Sequence, residues 1–440
     1  MPDPGRRPGG LPPRVYGPDV TRTQWMRWTR RPDPRHGALA VLSAAAVTAL
    51  AVLVTLLVPP TPTAYGAGIA LTGPIVRPDE NPLFAIQDVL ARQSAALLRG
   101  DRDGYLQAIP ADDAPLREQA GRRFDSLTAL RVRRWTMATA DLPSQVNDAW
   151  RVPVDVGYCF ADDDCTPVQL RVSTKWSVVH GRLRLAGYEQ TRRPWDATAL
   201  TVKEGSRVTV AGPADDPRVT PAVLDRVLRA AEAATGTDDR FAASFDGPPR
   251  RYFVYVAGEE QWKGWYAGGS ANAAAYTIPL QPGASDVVVD HGTLTDSWLP
   301  TLITHEFAHV VTLGGVAPPA AAWWLTEGIA TYIANGSGGE LRNELPSVRS
   351  YVAAGRWDGS VTLTGPPADA TFEETAACYG IALLAVTYLA QHYGEAKMLA
   401  FFTEVVRKRR PVDTAAQSVF GVPWKSISAD ATAAVRAAAN

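Results

Sequence analysis

Two histidines four residues apart, His305 and His309, stand in the segment LPTLITHEFAHVVTL. Apolar residues around them recur at helical spacing, so both imidazoles project from one helix face about one turn apart. Nitrogens placed in this way can hold one zinc ion. Glu306 directly follows the first histidine, where its carboxylate can reach an activated water and act as general base. A catalytic zinc also needs a third protein ligand and an open fourth position. Glu327, 18 residues beyond His309 in WWLTEGIATYIA, offers that ligand from a second helix. A histidine pair on a helix also occurs as plain surface or core, and it is the added glutamate that sharpens the reading.

These segments carry a family likeness. HEFAHVVT followed by WLTEGIATY resembles the zinc-binding core of gluzincin peptidases, especially the membrane aminopeptidase branch and related actinobacterial peptidase-like domains. The resemblance implies one zinc per chain held by His305, His309 and Glu327, with Glu306 as catalytic base. Downstream, CYGIALLAVTYLAQHYG shares with that branch a tyrosine nine residues before a Tyr-Leu pair and fifteen before a glycine. By the same resemblance Tyr379 donates a hydrogen bond to the tetrahedral oxyanion, stabilising charge that exists only in the transition state. A tyrosine opening an apolar helix is also commonly a boundary residue with a wet hydroxyl.

Departures from the pattern matter as much. Thr331 stands where thermolysin-like enzymes keep an aspartate to orient a histidine, so that contact is absent or supplied differently. No GAMEN-like segment, by which aminopeptidases capture a free amine, occurs upstream, which leaves endo- against exopeptidase action open. Thr312 and Gly315 occupy the positions where metzincins need glycine and a third histidine, which excludes that group. The likeness covers roughly residues 250–400.

The chain that must position these residues has 440 residues, enough for more than one folded unit. Its first 36 residues hold eight arginines against three aspartates and should form a disordered basic tail. Residues 37–58 are 22 residues without a charge, enough to span about 30 Å of hydrocarbon as a transmembrane helix. Arg30, Arg31 and Arg35 precede it, so the positive-inside rule puts the N-terminus in the cytoplasm and the remainder outside the cytoplasmic membrane. A cleaved signal peptide is the rival reading. Residues 59–83 read as a Pro/Gly-rich linker.

An α+β fold is expected beyond the linker. Residues 84–192 show helices, then strand-like segments, in an order that resembles the cone-shaped nuclear-transport-factor-2-like superfamily. No clustered catalytic set is visible there. Residues 195–440 read as a zincin-like domain, a mixed sheet followed by a helical half. The extended run Ala273 to Leu280 can pair with a peptide as an added strand, or simply fill the sheet. Trp262, Trp265 and Tyr266 suit a cleft lining or, more often, a core. Glu373 and Glu374 read as a solvated helix start.

Cys159 and Cys165 flank a turn-like FADDD between strand-like segments and can close a small disulfide, consistent with an oxidising compartment. Cys378 is left over, as a small buried hydrophobe. A net charge of -1 shows no basic surface for nucleic acid. The expected partner is a peptide or protein substrate in the cell envelope. The competing readings are a catalytically inactive cell-envelope binding protein of the same fold, and a zinc hydrolase acting on another carbonyl substrate.

Overall fold

In the computed structural model the described residues are 81–440, apart from 267, 270–272, 281–282, 337–343 and 368. The expected basic tail, the apolar segment 37–58 and nearly all of the linker lie outside them. Among the described residues no helix is long and apolar enough to cross a membrane. The described chain belongs to one compact unit, and it is mixed α+β.

Three helices come first, α1 (Leu83–Leu98), α2 (Arg102–Leu106) and α3 (Ala114–Ala129). Asp101 and Asp113 start the second and third by accepting the backbone N–H groups of Gly104 and Leu116. Five strands follow, β1 (Val132–Thr139), β2 (Ser144–Val146), β3 (Ala149–Phe160), β4 (Val168–Val179) and β5 (Arg182–Tyr188). They form an antiparallel sheet in the order β1-β3-β4-β5, with β2 on β3. Alternation from Arg151 to Val156 turns Val152, Val154 and Val156 into the core and leaves Arg151 exposed, and the strand is buried on both faces from there to Phe160. Cys159 and Cys165 are bonded across the β3–β4 turn, with Cα atoms 6.1 Å apart, as their spacing suggests.

After the short helix α4 (Pro194–Ala197), the chain forms β6 (Leu200–Glu204), β7 (Val208–Pro213), α5 (Pro221–Ala242), β8 (Tyr252–Ala257), α6 (Glu259–Gly264), β9 (Ala275–Leu280) and β10 (Ala284–Asp290). The second sheet runs β6-β7-β8-β10-β9, with parallel pairing in the centre and antiparallel pairing at both edges. Its central strands are apolar on both faces because both are covered. Val254, Val256, Val287 and Val289 face α5 and the helix that follows β10. Tyr255, Ala257 and Val288 belong instead to the cluster that contains the core of the first sheet. The second sheet is therefore the middle layer.

Where the two parts join, Trp195 is fully buried and meets Trp135 edge-on at 5.6 Å. Beside it Asp196 faces Arg123 at 3.5 Å, both side chains almost inaccessible. The Arg123 guanidinium lies 4.8 Å from the Tyr188 ring and 5.3 Å from that of Trp195. Trp262 and Trp265 join this buried cluster and Tyr266 packs against it. These three aromatics are core, not cleft lining.

The C-terminal half is helical: α7 (Leu299–Leu313), α8 (Trp323–Ala334), α9 (Leu345–Ala353), α10 (Phe372–Tyr393), α11 (Glu395–Phe402), α12 (Val412–Phe420) and α13 (Trp424–Ala439). Helix α7 ends on Gly314, whose φ of 56° is left-handed. The start of α10 corrects one expectation. Glu373 is exposed as predicted, but Glu374 is buried, closes a capping box with Thr371 and pairs with Arg356.

Candidate metal centre

Helix α7 packs on the second sheet through Leu299, Ile303 and Phe307, and the Phe307 ring stacks on Tyr252 of β8 at 4.1 Å. The opposite helix face then carries His305, and His309 one turn on, toward α8. Their rings are nearly perpendicular, 4.8 Å apart. Glu327 comes from the second turn of α8. One of its oxygens, Oε2, lies 3.1 Å from His305 Nε2 and 3.3 Å from His309 Nε2. All three donor atoms lie within 4.8 Å of one another.

This donor set fits zinc. Ligand atoms around a tetrahedral zinc at about 2.1 Å stand roughly 3.4 Å apart, close to the separations found. The Nε2 atoms converge, which leaves the Nδ1 atoms for orienting contacts. His305 Nδ1 has the Thr331 hydroxyl at 3.4 Å. The residue that departs from the thermolysin-like pattern thus still faces the histidine, as a hydroxyl in place of a carboxylate. His309 Nδ1 is buried without a hydrogen-bond partner.

The local electrostatics are those of a compressed donor set. Burial opposes charge on Glu327, yet the His309 and His305 imidazoles outweigh it and hold the carboxyl well below its usual range. Burial likewise opposes a charged His309, and the Glu327 carboxylate overrides it, so this imidazole titrates above its ordinary value.

A glycine sets how near Glu327 can come to the rest of the site. A Cβ on Gly328 would fall 2.6 Å from the Ala382 carbonyl oxygen of α10. Without a side chain there, α8 lies close against α10, which carries Tyr379. The Tyr379 ring centre is 6.1 Å from that of His305 and 5.1 Å from that of Trp323. Burial, then the Glu327 and Glu306 carboxylates, keep its phenol protonated far above the ordinary tyrosine range. Tyr379 is therefore a standing hydrogen-bond donor beside the donor triad.

Glu306 is buried on α7, between the two histidines. Its Oε2 accepts a 2.7 Å hydrogen bond from the Thr277 hydroxyl of β9. Strand β9 is one edge of the second sheet, and Pro279 within it has no N–H to offer. A cleft of about 320 Å³ opens between the two, lined among others by Ala273, Ala275, His305, Glu306 and Tyr379. The five residues named from the sequence thus share one site. Thr277 and Glu344, which also lines the cleft, went unnoticed. Thr277 lies within the run proposed for strand pairing, and Glu344 before Leu345-Pro346 reads only as a helix start.

No family model matches the chain, and no curated protein matches it. Among solved structures, it is similar to a substituted two-domain M1 zinc metallopeptidase bound to L-arginine, with 15% identity over 70% of this chain and a TM-score of 0.31. It is also similar to an M1 zinc metallopeptidase from Deinococcus radiodurans, with 16% identity over 70% of this chain and a TM-score of 0.31. The alignments span 62% and 63% of the length of those two chains.

Proposed function

We propose that this protein is a zinc-dependent peptidase, anchored in the cytoplasmic membrane by residues 37–58 and acting outside it. The observation that carries the reading is the convergence of His305 Nε2 and His309 Nε2 on one oxygen of Glu327, with Glu306 and Tyr379 in the same cleft. His305, His309 and Glu327 would hold the metal, which supplies Lewis acidity toward a peptide carbonyl and lowers the pKa of water.

The remaining roles belong to the chain. Glu306 takes the proton of the attacking water on a carboxylate oxygen and delivers it to the departing amine. Thr277 fixes that carboxylate so that no rotamer search precedes the transfer. Tyr379 donates its hydroxyl proton in a hydrogen bond to the oxyanion that develops as the carbonyl carbon becomes tetrahedral. The free edge of β9 offers backbone groups to which an extended peptide can add as a further strand. The Cys159–Cys165 bond supports an oxidising compartment, and with it substrates in the cell envelope.

The test is elemental analysis of the detergent-solubilised full chain, together with hydrolysis of a mixed peptide library. One zinc per chain, lost in Glu327→Ala, and cleavage lost in Glu306→Gln are expected. A metal-free wild type would sink the reading.

A further inference from the structure

The cleft beside the donor triad contains a carboxylate for which the mechanism above has no use. Glu344 caps the start of α9, and its Oε2 is shut off from solvent with no hydrogen-bond partner. Asn335 stands beside it in the same cleft and is its uncharged neighbour. A half-buried carboxylate without a cationic partner is costly unless something supplies one. Glu344 is held in place by close packing on α10. A Cβ on Gly380, the residue after Tyr379, would fall 3.0 Å from the Glu344 Cβ.

The surroundings specify what the missing counter-ion looks like. Glu344 and His305 line the same cavity, and no lysine or arginine is among its described lining residues. Much of the wall is apolar, from Ala273 and Leu302 to Ala334, and two large hydrophobic side chains stand exposed at it, Phe372 at 74% and Trp298 at 39%. Along α10, Phe372, Thr375, Ala376 and Tyr379 fall on one face and run as a stripe past the donor triad. An occupant complementary to such a pocket has a long aliphatic stem ending in a cation.

We infer that this cavity is a specificity pocket in which Glu344 takes the cationic end of a lysine or arginine side chain of the substrate, next to the bond to be cut. The inference rests on the peptidase reading above. The aliphatic stem covers the apolar wall and excludes water from the ion pair. The ammonium or guanidinium donates to the Glu344 carboxylate where it lines the cavity. A substrate α-amine has no such stem and leaves the wall uncovered.

The test uses the zinc-loaded full chain and Glu344→Gln on N-acetylated peptides that differ in one residue flanking the scissile bond, arginine or norleucine. Wild type is expected to prefer arginine, and Glu344→Gln to lower kcat/KM for the arginine peptide about ten- to a hundred-fold more than for the norleucine peptide, chiefly through KM. Equal losses on the two peptides, which a merely structural Glu344 would give, overturn the inference. So does a basic preference seen only with unacetylated peptides, which would assign the cation to the α-amine. Calorimetric titration with N-acetyl-arginine amide and N-acetyl-norleucine amide decides the matter without turnover. If wild type cleaves nothing, the peptidase reading fails, yet selective binding of the arginine amide, weakened about ten-fold or more in Glu344→Gln, still supports the pocket; indifferent binding overturns it.

Discussion

The Thr277 hydroxyl lies 2.7 Å from Glu306 Oε2 and 3.1 Å from the Glu306 carbonyl oxygen, tying the edge strand of the second sheet to the helix that carries both histidines. Strand and helix thus hold the base from two sides.

Thr277→Val keeps the shape of the side chain and removes the donor. The expected outcome is a kcat about ten-fold lower with KM nearly unchanged, and recovery in Thr277→Ser, measured on any peptide the wild type cleaves. A normal kcat in the valine variant would show that Glu306 needs no such hold.

Metal binding should be visible in stability as well as in activity. Zinc that binds only the folded chain at 1,000 times its dissociation constant adds about 4 kcal/mol. Chelation is expected to lower Tm and added zinc to restore it, whereas Glu327→Ala, which lacks the shared ligand, should respond to neither. A wild-type Tm indifferent to chelator and zinc would count against the site.

Asp238 of α5 is fully buried, and neither of its carboxylate oxygens is hydrogen-bonded. Burial, with Asp239 adding to it, pushes this carboxyl up to about 9. The folded state keeps a proton that the unfolded chain releases above about pH 4. Stability from this group is therefore complete below that pH and is lost as pH rises toward 9, at about 1.4 kcal/mol per unit. Asp238→Asn should melt like wild type near pH 4 and gain on it progressively up to pH 9. A gap that stays constant across that range would contradict the buried protonated acid.

The Arg123–Asp196 pair is the other buried charge with a testable cost. Arg123→Met leaves the Asp196 carboxylate with its bonds from Thr191 but without its counter-ion. The loss is expected to be about 3–5 kcal/mol in urea unfolding, with much of it recovered when Asp196→Asn is added. A loss under about 1 kcal/mol, the level of an exposed pair, would mean water reaches the site.

What could be read in the sequence was what lies close along the chain. His305, Glu306 and His309 share one helix, and Glu327 follows on the next, so spacing alone was enough to suggest the donor set. Tyr379 came from a likeness of segments, since nothing in its own helix marks it. Thr277 is 29 residues from its partner, and only the position of β9 at the sheet edge brings them together. Glu344 depends on the approach of α9 to α10, which Gly380 allows and no periodicity reveals. Glu374 was misread although Thr371-x-x-Glu374 is a capping-box pattern. Thr331 left open whether that contact is absent or supplied differently, and its hydroxyl 3.4 Å from His305 Nδ1 gives the second answer. A mixed sheet before a helical half was expected, but nothing in the apolar runs of β8 and β10 says that the first sheet supplies one of its covers.

That cover has a bearing on how such a protein can be inherited. Modules are exchanged between genes most readily where a cut crosses few contacts, in an exposed tether. The stretch between the two sheets here is the reverse. It carries Trp195 and Asp196 into a buried aromatic cluster, against Trp135 and Arg123. The half with the candidate metal site, transplanted without the preceding sheet, would bring along a bare indole, an acid without its counter-ion and an uncovered sheet face. The two halves should therefore descend together, and a lineage that lost the first would be expected to show changes at Trp195, Asp196 and the outward positions of β8 and β10.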